Sequence, residues 1–313
     1  MREALSEPPQ KDLPEADIDR LHHQLDLLVS AMRQTKKAVF SVDLTGLYLR
    51  LNVELRPQKN TLFARMMKAV PNSAPTLLRH VPENVYAAGT SNLFPGALAK
   101  RFLVSSLGLS SGQKAPDWLQ NGKGSAGVAL LPSGGSDKAT LLLLGRGSFG
   151  QRIGQAWQRL SRTDNGNSPI RLRESDTAQE PQGLRTARVK LSRKNLGTMG
   201  LQVLRSLFGA PIKAAMGTGG DITAAGAGPS SVQLARRARK KATGLSLARN
   251  PVFRSSLAGL PSKPNLLFYV SPLGLRRWLS LGASPPPGLQ DLRKGSAAVV
   301  KASEEGLFAA VNI

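Results

Sequence analysis

Gly124-Ser125-Ala126-Gly127-Val128-Ala129-Leu130-Leu131 returns further along the chain as Gly295-Ser296-Ala297-Ala298-Val299-Val300-Lys301-Ala302. In each copy a short polar turn and a second apolar run follow, which is the pattern of a β-hairpin. A third copy, without the Gly-Ser, starts at Ala38. It reads Val39-Phe40-Ser41-Val42, a turn, then Gly46-Leu47-Tyr48-Leu49-Arg50-Leu51-Asn52-Val53, and this last stretch matches Gly306-Leu307-Phe308-Ala309-Ala310-Val311-Asn312-Ile313. Self-similarity of this kind bears on the whole architecture, so it is weighed before any single motif.

The similarity extends upstream of the hairpins. Val81-Pro82-Glu83-Asn84-Val85-Tyr86-Ala87-Ala88 reads against Leu260-Pro261-Ser262-Lys263-Pro264-Asn265-Leu266-Leu267-Phe268-Tyr269-Val270, and each strand-like run is followed by a Ser and a Leu that open a helix. Helical spacing precedes both, through Leu62, Phe63, Met66, Met67 and Val70 in one case and Phe253, Leu257 and Leu260 in the other. The expected fold is α+β: largely antiparallel sheets built from repeated helix-strand-helix-hairpin units, with the helices packed on one face.

Four segments are expected. Residues 1–12 are polar, contain Pro and read as a disordered tail. Residues 13–161 form the first α+β part, opened by Asp12-Leu13-Pro14-Glu15 as cap and early helical Pro, with Ile18, Leu21, Leu25, Leu28 and Met32 as an apolar stripe that docks on the sheet begun at 38–55. Residues 162–183 are rich in Asn, Asp, Ser, Gly, Gln and Pro and read as a linker or long loop. Residues 184–313 form the second part, with a helix from about Leu196 to Phe208 and a hairpin turning at Gly217-Thr218-Gly219-Gly220-Asp221.

The 41% hydrophobic content of the 313 residues supports a real core, and 5% aromatics make that core aliphatic. No apolar run approaches the ~20 residues of a membrane-spanning helix, and the first residues lack an apolar signal core. With no cysteine, the chain can form no disulfide, thiol nucleophile or thiolate metal site. Forty-three Lys and Arg against 20 Asp and Glu give a net charge of +23, a statement about anionic partners rather than about fold. Arg236, Arg237, Arg239, Lys240 and Lys241 are the densest cluster and the anion-binding candidates; as the end of a helix begun near Ser230, they also complement its dipole. Arg185, Arg188, Lys190, Arg193 and Lys194 lie along a strand whose Val189 and Leu191 point the other way. No aromatic residues interleave with either group to stack bases.

Gly145-Arg146-Gly147-Ser148-Phe149-Gly150 is a literal G-x-G-x-x-G between the Leu141–Leu144 run and a helix, so Gly145, Gly147 and Gly150 are the cofactor-binding candidates. The Leu run, however, is a hairpin arm, and no acidic residue ends a second parallel strand about 20 residues on, as a dinucleotide site requires. A plain turn into a helix is the stronger reading, and no cofactor is expected. His22 and His23, with Asp26, lack a further metal ligand, and no metal is expected. His80 falls in a loop or caps a helix, and no Ser-His-Asp or paired-carboxylate pattern stands out.

Arg249-Asn250-Pro251-Val252-Phe253, Leu260-Pro261, Ser271-Pro272-Leu273 and Glu305-Gly306-Leu307-Phe308 together resemble an uncharacterised family of bacterial envelope proteins, carried behind a signal peptide or lipoprotein anchor. The resemblance covers residues 38–103 and 205–313. It implies an extracytoplasmic α+β repeat protein with no established activity or cofactor. The chain lacks that family's export signal, which reads as a fragment with its leading unit cut away or as a cytoplasmic relative; the isolated helix-and-hairpin opening and the final strand favour the fragment. The function expected is non-enzymatic: a binding or scaffold protein of the envelope whose basic surface contacts anionic lipid, polysaccharide or a partner protein. The alternatives are a nucleic-acid-associated basic protein, resting on charge, and a nucleotide-dependent enzyme using the Gly145–Gly150 loop.

Overall fold

The computed structural model describes residues 29, 32–45, 48–69, 76–92, 124–133, 137–162, 170–174, 183–240, 245–279, 293–303 and 305–313. In chain order these form β1 (Thr35–Thr45), β2 (Tyr48–Pro57), α1 (Leu62–Ala69), a 3-10 turn at Leu77–His80, β3 (Ala87–Ser91), β4 (Gly124–Pro132), β5 (Ala139–Gly147) and α2 (Ser148–Arg162). Then come β6 (Ile170–Glu174), β7 (Leu184–Leu191), α3 (Arg193–Phe208), β8 (Lys213–Gly219), β9 (Ile222–Ala227), α4 (Ser231–Arg239), a second 3-10 turn at Leu247–Arg249 and α5 (Pro251–Ser256). The last elements are β10 (Leu266–Val270), α6 (Pro272–Leu279), β11 (Ser296–Ser303) and β12 (Gly306–Asn312).

All twelve strands belong to one sheet in the order β1-β2-β12-β11-β10-β3-β4-β5-β9-β8-β7-β6. Every neighbouring pair is antiparallel. The two Gly-Ser-Ala stretches fall on β4 and β11, each the first arm of a hairpin. The described parts of the similar stretches, on β2 and β12, are sheet neighbours, with Leu51 opposite Val311 and Val53 opposite Ala309. Early and late parts of the sequence interleave: β2 pairs with β12, β3 with β10 and β5 with β9. The expected linker contributes β6, at one end of the sheet.

Alternation along the strands sorts side chains onto two faces. Leu142, Leu144, Leu267, Tyr269 and Val299 face one side and are essentially buried beneath the two 3-10 turns, α4 and α5; Phe253 meets the Tyr269 ring edge-on at 5.1 Å. Each such large apolar side chain removed from water contributes about 1.5–3 kcal/mol. On the opposite side α2 lies over the β6–β9 end, where Trp157 packs on Leu172, Ala187, Ala214 and Met216. On that side too, α1 sets Phe63 and Met67 against Leu55 and Leu307.

Helices therefore occupy both faces, which corrects the expectation of a single covered face. The cause is visible in β8, where both sets of alternating residues are apolar. Met216 belongs with Trp157, whereas Ala215 meets Ala235 of α4. The helix expected from Leu196 begins at Arg193 and is broken at Gly197, whose φ is 66°. Of the stripe expected before β1, Met32 is described and helical; Ile18, Leu21, Leu25 and Leu28 lie outside the described residues, as do His22, His23 and Asp26.

Candidate anion-binding cleft

The β8–β9 turn, the C-terminal end of α4, the end of β5, the two 3-10 turns and α5 meet where the neighbouring strands β5, β9 and β8 end. They enclose a cleft of about 880 Å³. Glycine makes the approach of α4 feasible: a Cβ on Gly219 would lie 2.4 Å from the Arg239 carbonyl oxygen, so only a residue without one lets the helix end settle on β8. That contact delivers Arg239 and Lys240 to the cleft. Leu77 and Leu247, both fully buried, anchor the two 3-10 turns, and Leu247 N–H donates to the Val81 carbonyl at 2.9 Å. With their apolar residues fixed inward, these turns present Arg79, His80 and Arg249 at the rim. Asn250 caps α5 by accepting from Phe253 N–H at 3.1 Å, with Pro251 in the first turn, and α5 adds Arg254.

Six cationic side chains thus line the cleft (Arg79, Arg146, Arg239, Lys240, Arg249 and Arg254), with Asp221 as the single carboxylate among its described lining residues. Asp221 Oδ2 lies 2.6 Å from Arg146 Nε, and Arg146 Nη1 donates to Thr76 Oγ1 at 3.0 Å. The Arg146 and Asp221 side chains are 38% and 62% exposed, so the pair is worth no more than about 1 kcal/mol. His80 Nδ1 lies 2.8 Å from the Ala238 carbonyl, an oxygen that only accepts, so Nδ1 carries the proton. Arg254 Nε donates to the Ala248 carbonyl at 3.2 Å, which holds its guanidinium in place. Guanidinium forks match the paired oxygens of phosphate and carboxylate, and charge of one sign in a concave site focuses the field there.

The sequence candidates separate accordingly. Arg239 and Lys240 reach the cleft; Arg236 and Arg237 do not line it, and Arg237 Nη2 donates to the Leu245 carbonyl at 2.8 Å. Lys241 lies outside the described residues. Gly145, Gly147 and Gly150 build the β5-to-α2 junction: a Cβ on Gly145 would fall 2.7 Å from Gly150 N, and Gly147 turns the chain with φ 64°. β5 is antiparallel to β4 and β9, so the parallel strand–helix–strand unit of a dinucleotide site is not formed around these glycines. The contribution of this motif to the cleft is the residue between the glycines, Arg146. Sequence reasoning missed Arg79, Arg146, Arg249 and Arg254 as one set.

A second groove of about 490 Å³ lies between α2 and β6–β7, and Arg185 and Lys190 help to line it. One oxygen of its carboxylate is held from three sides: Glu174 Oε1 accepts from Trp157 Nε1 at 2.7 Å, from Arg185 Nη2 at 2.6 Å and from Ser161 Oγ at 3.2 Å. Burial, the largest single influence, raises the Glu174 carboxyl, but the Trp157 hydrogen bond, the Arg185 charge and the bonds from Ser161 and Arg185 together hold it below its ordinary value. This is an internal brace between helix and strand.

Among the described residues no group of His, Asp and Glu gathers to hold a metal ion, and no helix is long and apolar enough to cross a membrane. No protein-family model, curated protein or solved structure matches the chain.

Proposed function

We propose that this chain is a non-enzymatic binding protein of the bacterial envelope whose cleft holds the phosphate or carboxylate groups of an anionic lipid or polysaccharide. The observation that carries the reading is the convergence of six cationic residues from five structural elements around one carboxylate. The described lining residues include no Phe, Tyr or Trp on which a base could stack, which sets the envelope reading ahead of the nucleic-acid one. The assignment to the envelope rests on the sequence resemblance.

The internal repeat belongs to the same reading. What supports it is the strand order on either side of the β3–β10 pair: β4 then β5 on one side, β11 then β12 on the other. A duplicated unit accounts for two 3-10 turns that each carry an arginine to the same cleft, Arg79 and Arg249.

The test is a comparison of vesicles containing phosphatidylglycerol with purely zwitterionic vesicles and with a single-stranded oligonucleotide, each across a salt series. The reading expects saturable binding to the anionic vesicles that Arg79→Ala and Arg249→Ala weaken. Binding to the oligonucleotide alone would replace it with the nucleic-acid reading, and binding to neither would remove the electrostatic basis.

A further inference from the structure

The two ends of the sheet are built differently. β6 is five residues long and carries Arg171, Arg173 and Glu174, the short charged form by which proteins blunt an exposed edge. β1 at the other end is eleven residues long, and among the described residues no strand lies beyond it. Phe40, Val42 and Leu44 on β1 are 73%, 65% and 85% exposed, and the apolar surface continues into Leu49 and Leu51 on β2. A long edge with an apolar face of this size is a template for another strand.

The sequence of β1 names the partner. Thr35-Lys36-Lys37-Ala38-Val39-Phe40-Ser41-Val42-Asp43-Leu44-Thr45 is complementary to itself when read in reverse about Phe40. An antiparallel pair centred there sets Lys37 opposite Asp43 of the second copy, Ala38 opposite its Val42, Val39 opposite its Ser41 and Phe40 opposite its Phe40. A two-fold axis normal to the sheet keeps like faces together, so residues facing each other must share parity along the strand. Among such registers, only the one centred on Phe40 places Lys37 against Asp43. Residues Lys37–Thr45 run in regular register with β2, and Asn52 Nδ2 orients the Asp43 carboxylate by donating to Oδ2 at 2.6 Å. We propose that two copies of this chain associate through β1, edge to edge and antiparallel, joining their sheets and making their exposed apolar faces continuous.

Sedimentation velocity of the full chain over a concentration series tests this. The expected result is a reversible dimer whose dissociation constant rises about tenfold or more in Lys37→Asp or in Asp43→Lys, because symmetry applies each substitution twice. The double exchange, Lys37→Asp with Asp43→Lys, restores the dimer, which separates broken pairing from impaired folding. Because the chain has no cysteine, Phe40→Cys introduces a single thiol that oxidation should link to its own copy. A monomer at every concentration up to about 100 μM, well above a working affinity for such a contact, overturns the proposal. So does a dimer indifferent to both charge substitutions, which would place the contact on another surface.

Discussion

Asp221, on the turn between β8 and β9, brings its Oδ2 within 2.6 Å of Nε of Arg146, the residue between the first two glycines of the Gly145–Gly150 motif. The carboxylate occupies one of the cleft's own cations and stands where a bound oxyanion would compete with it. Asp221→Asn should therefore raise the affinity for phosphate-bearing ligands by about two- to fivefold, the equivalent of an exposed ion pair. Its melting temperature should stay close to that of the unchanged protein. Titration calorimetry with pyrophosphate, beside a thermal melt, checks both halves.

The position of α4 depends on the missing side chain at 219. In Gly219→Ala the new methyl would stand 2.4 Å from the Arg239 carbonyl oxygen, a backbone atom that no side-chain rotation can move away. The helix end has to shift, at a cost of about 1–3 kcal/mol, and Arg239 and Lys240 shift with it. Denaturant unfolding should show the loss, and affinity for pyrophosphate should fall in the same variant.

Asn312 on β12 is fully buried and gathers three partners. It accepts from Arg50 Nε on β2 at 3.0 Å and donates to the carbonyls of Ser256 at 2.9 Å and Ala258 at 3.2 Å. Asn312→Ala leaves the buried Ser256 carbonyl without this donor, so about 1–3 kcal/mol of stability should disappear. Chemical denaturation measures it directly, and a loss below about 0.5 kcal/mol, the range of an ordinary surface change, would mean that the three bonds are dispensable.

Tyr269, packed edge-on against Phe253, has its hydroxyl pushed up to about 12, by burial first and by the nearby Tyr48 second. The folded state then holds this proton at pH values where an unfolded tyrosine, near 10, has lost it. The stability linked to this group is complete below pH 10 and declines as pH rises toward 12. Melts across this window should fall steadily for the unchanged protein and less steeply for Tyr269→Phe.

Much of the sheet was legible in the sequence because hairpins are local. The Gly-Ser-Ala starts of β4 and β11 and the glycine-rich turn between β8 and β9 each announce a pair of strands without any knowledge of distant residues. The two-sided covering was not legible: in β8 small and apolar residues run through both alternating sets, Ala215 on one and Ala214 and Met216 on the other, so no polar face marks a side as bare. The cleft was half legible. Arg239 and Lys240 belong to an obvious charge cluster, but Arg79, Arg146, Arg249 and Arg254 stand far apart along the chain. Their convergence follows from β5 lying beside β9 and from the Val81–Leu247 hydrogen bond, which only the tertiary arrangement fixes. The local signals that were available are the arginine between the glycines and the arginine immediately before the Asn-Pro cap.

In the proposed function the cleft, and not the diffuse charge of +23, binds the anion. Titration of pyrophosphate into the full chain, with Arg146→Ala/Arg249→Ala and Arg185→Ala/Arg188→Ala compared at equal net charge, separates the two. The first pair of substitutions should weaken binding about tenfold or more, the scale of lost hydrogen bonds to a charged group, while the second should leave it nearly unchanged. Equal losses in the two double variants, tracking net charge alone, would contradict the proposed function.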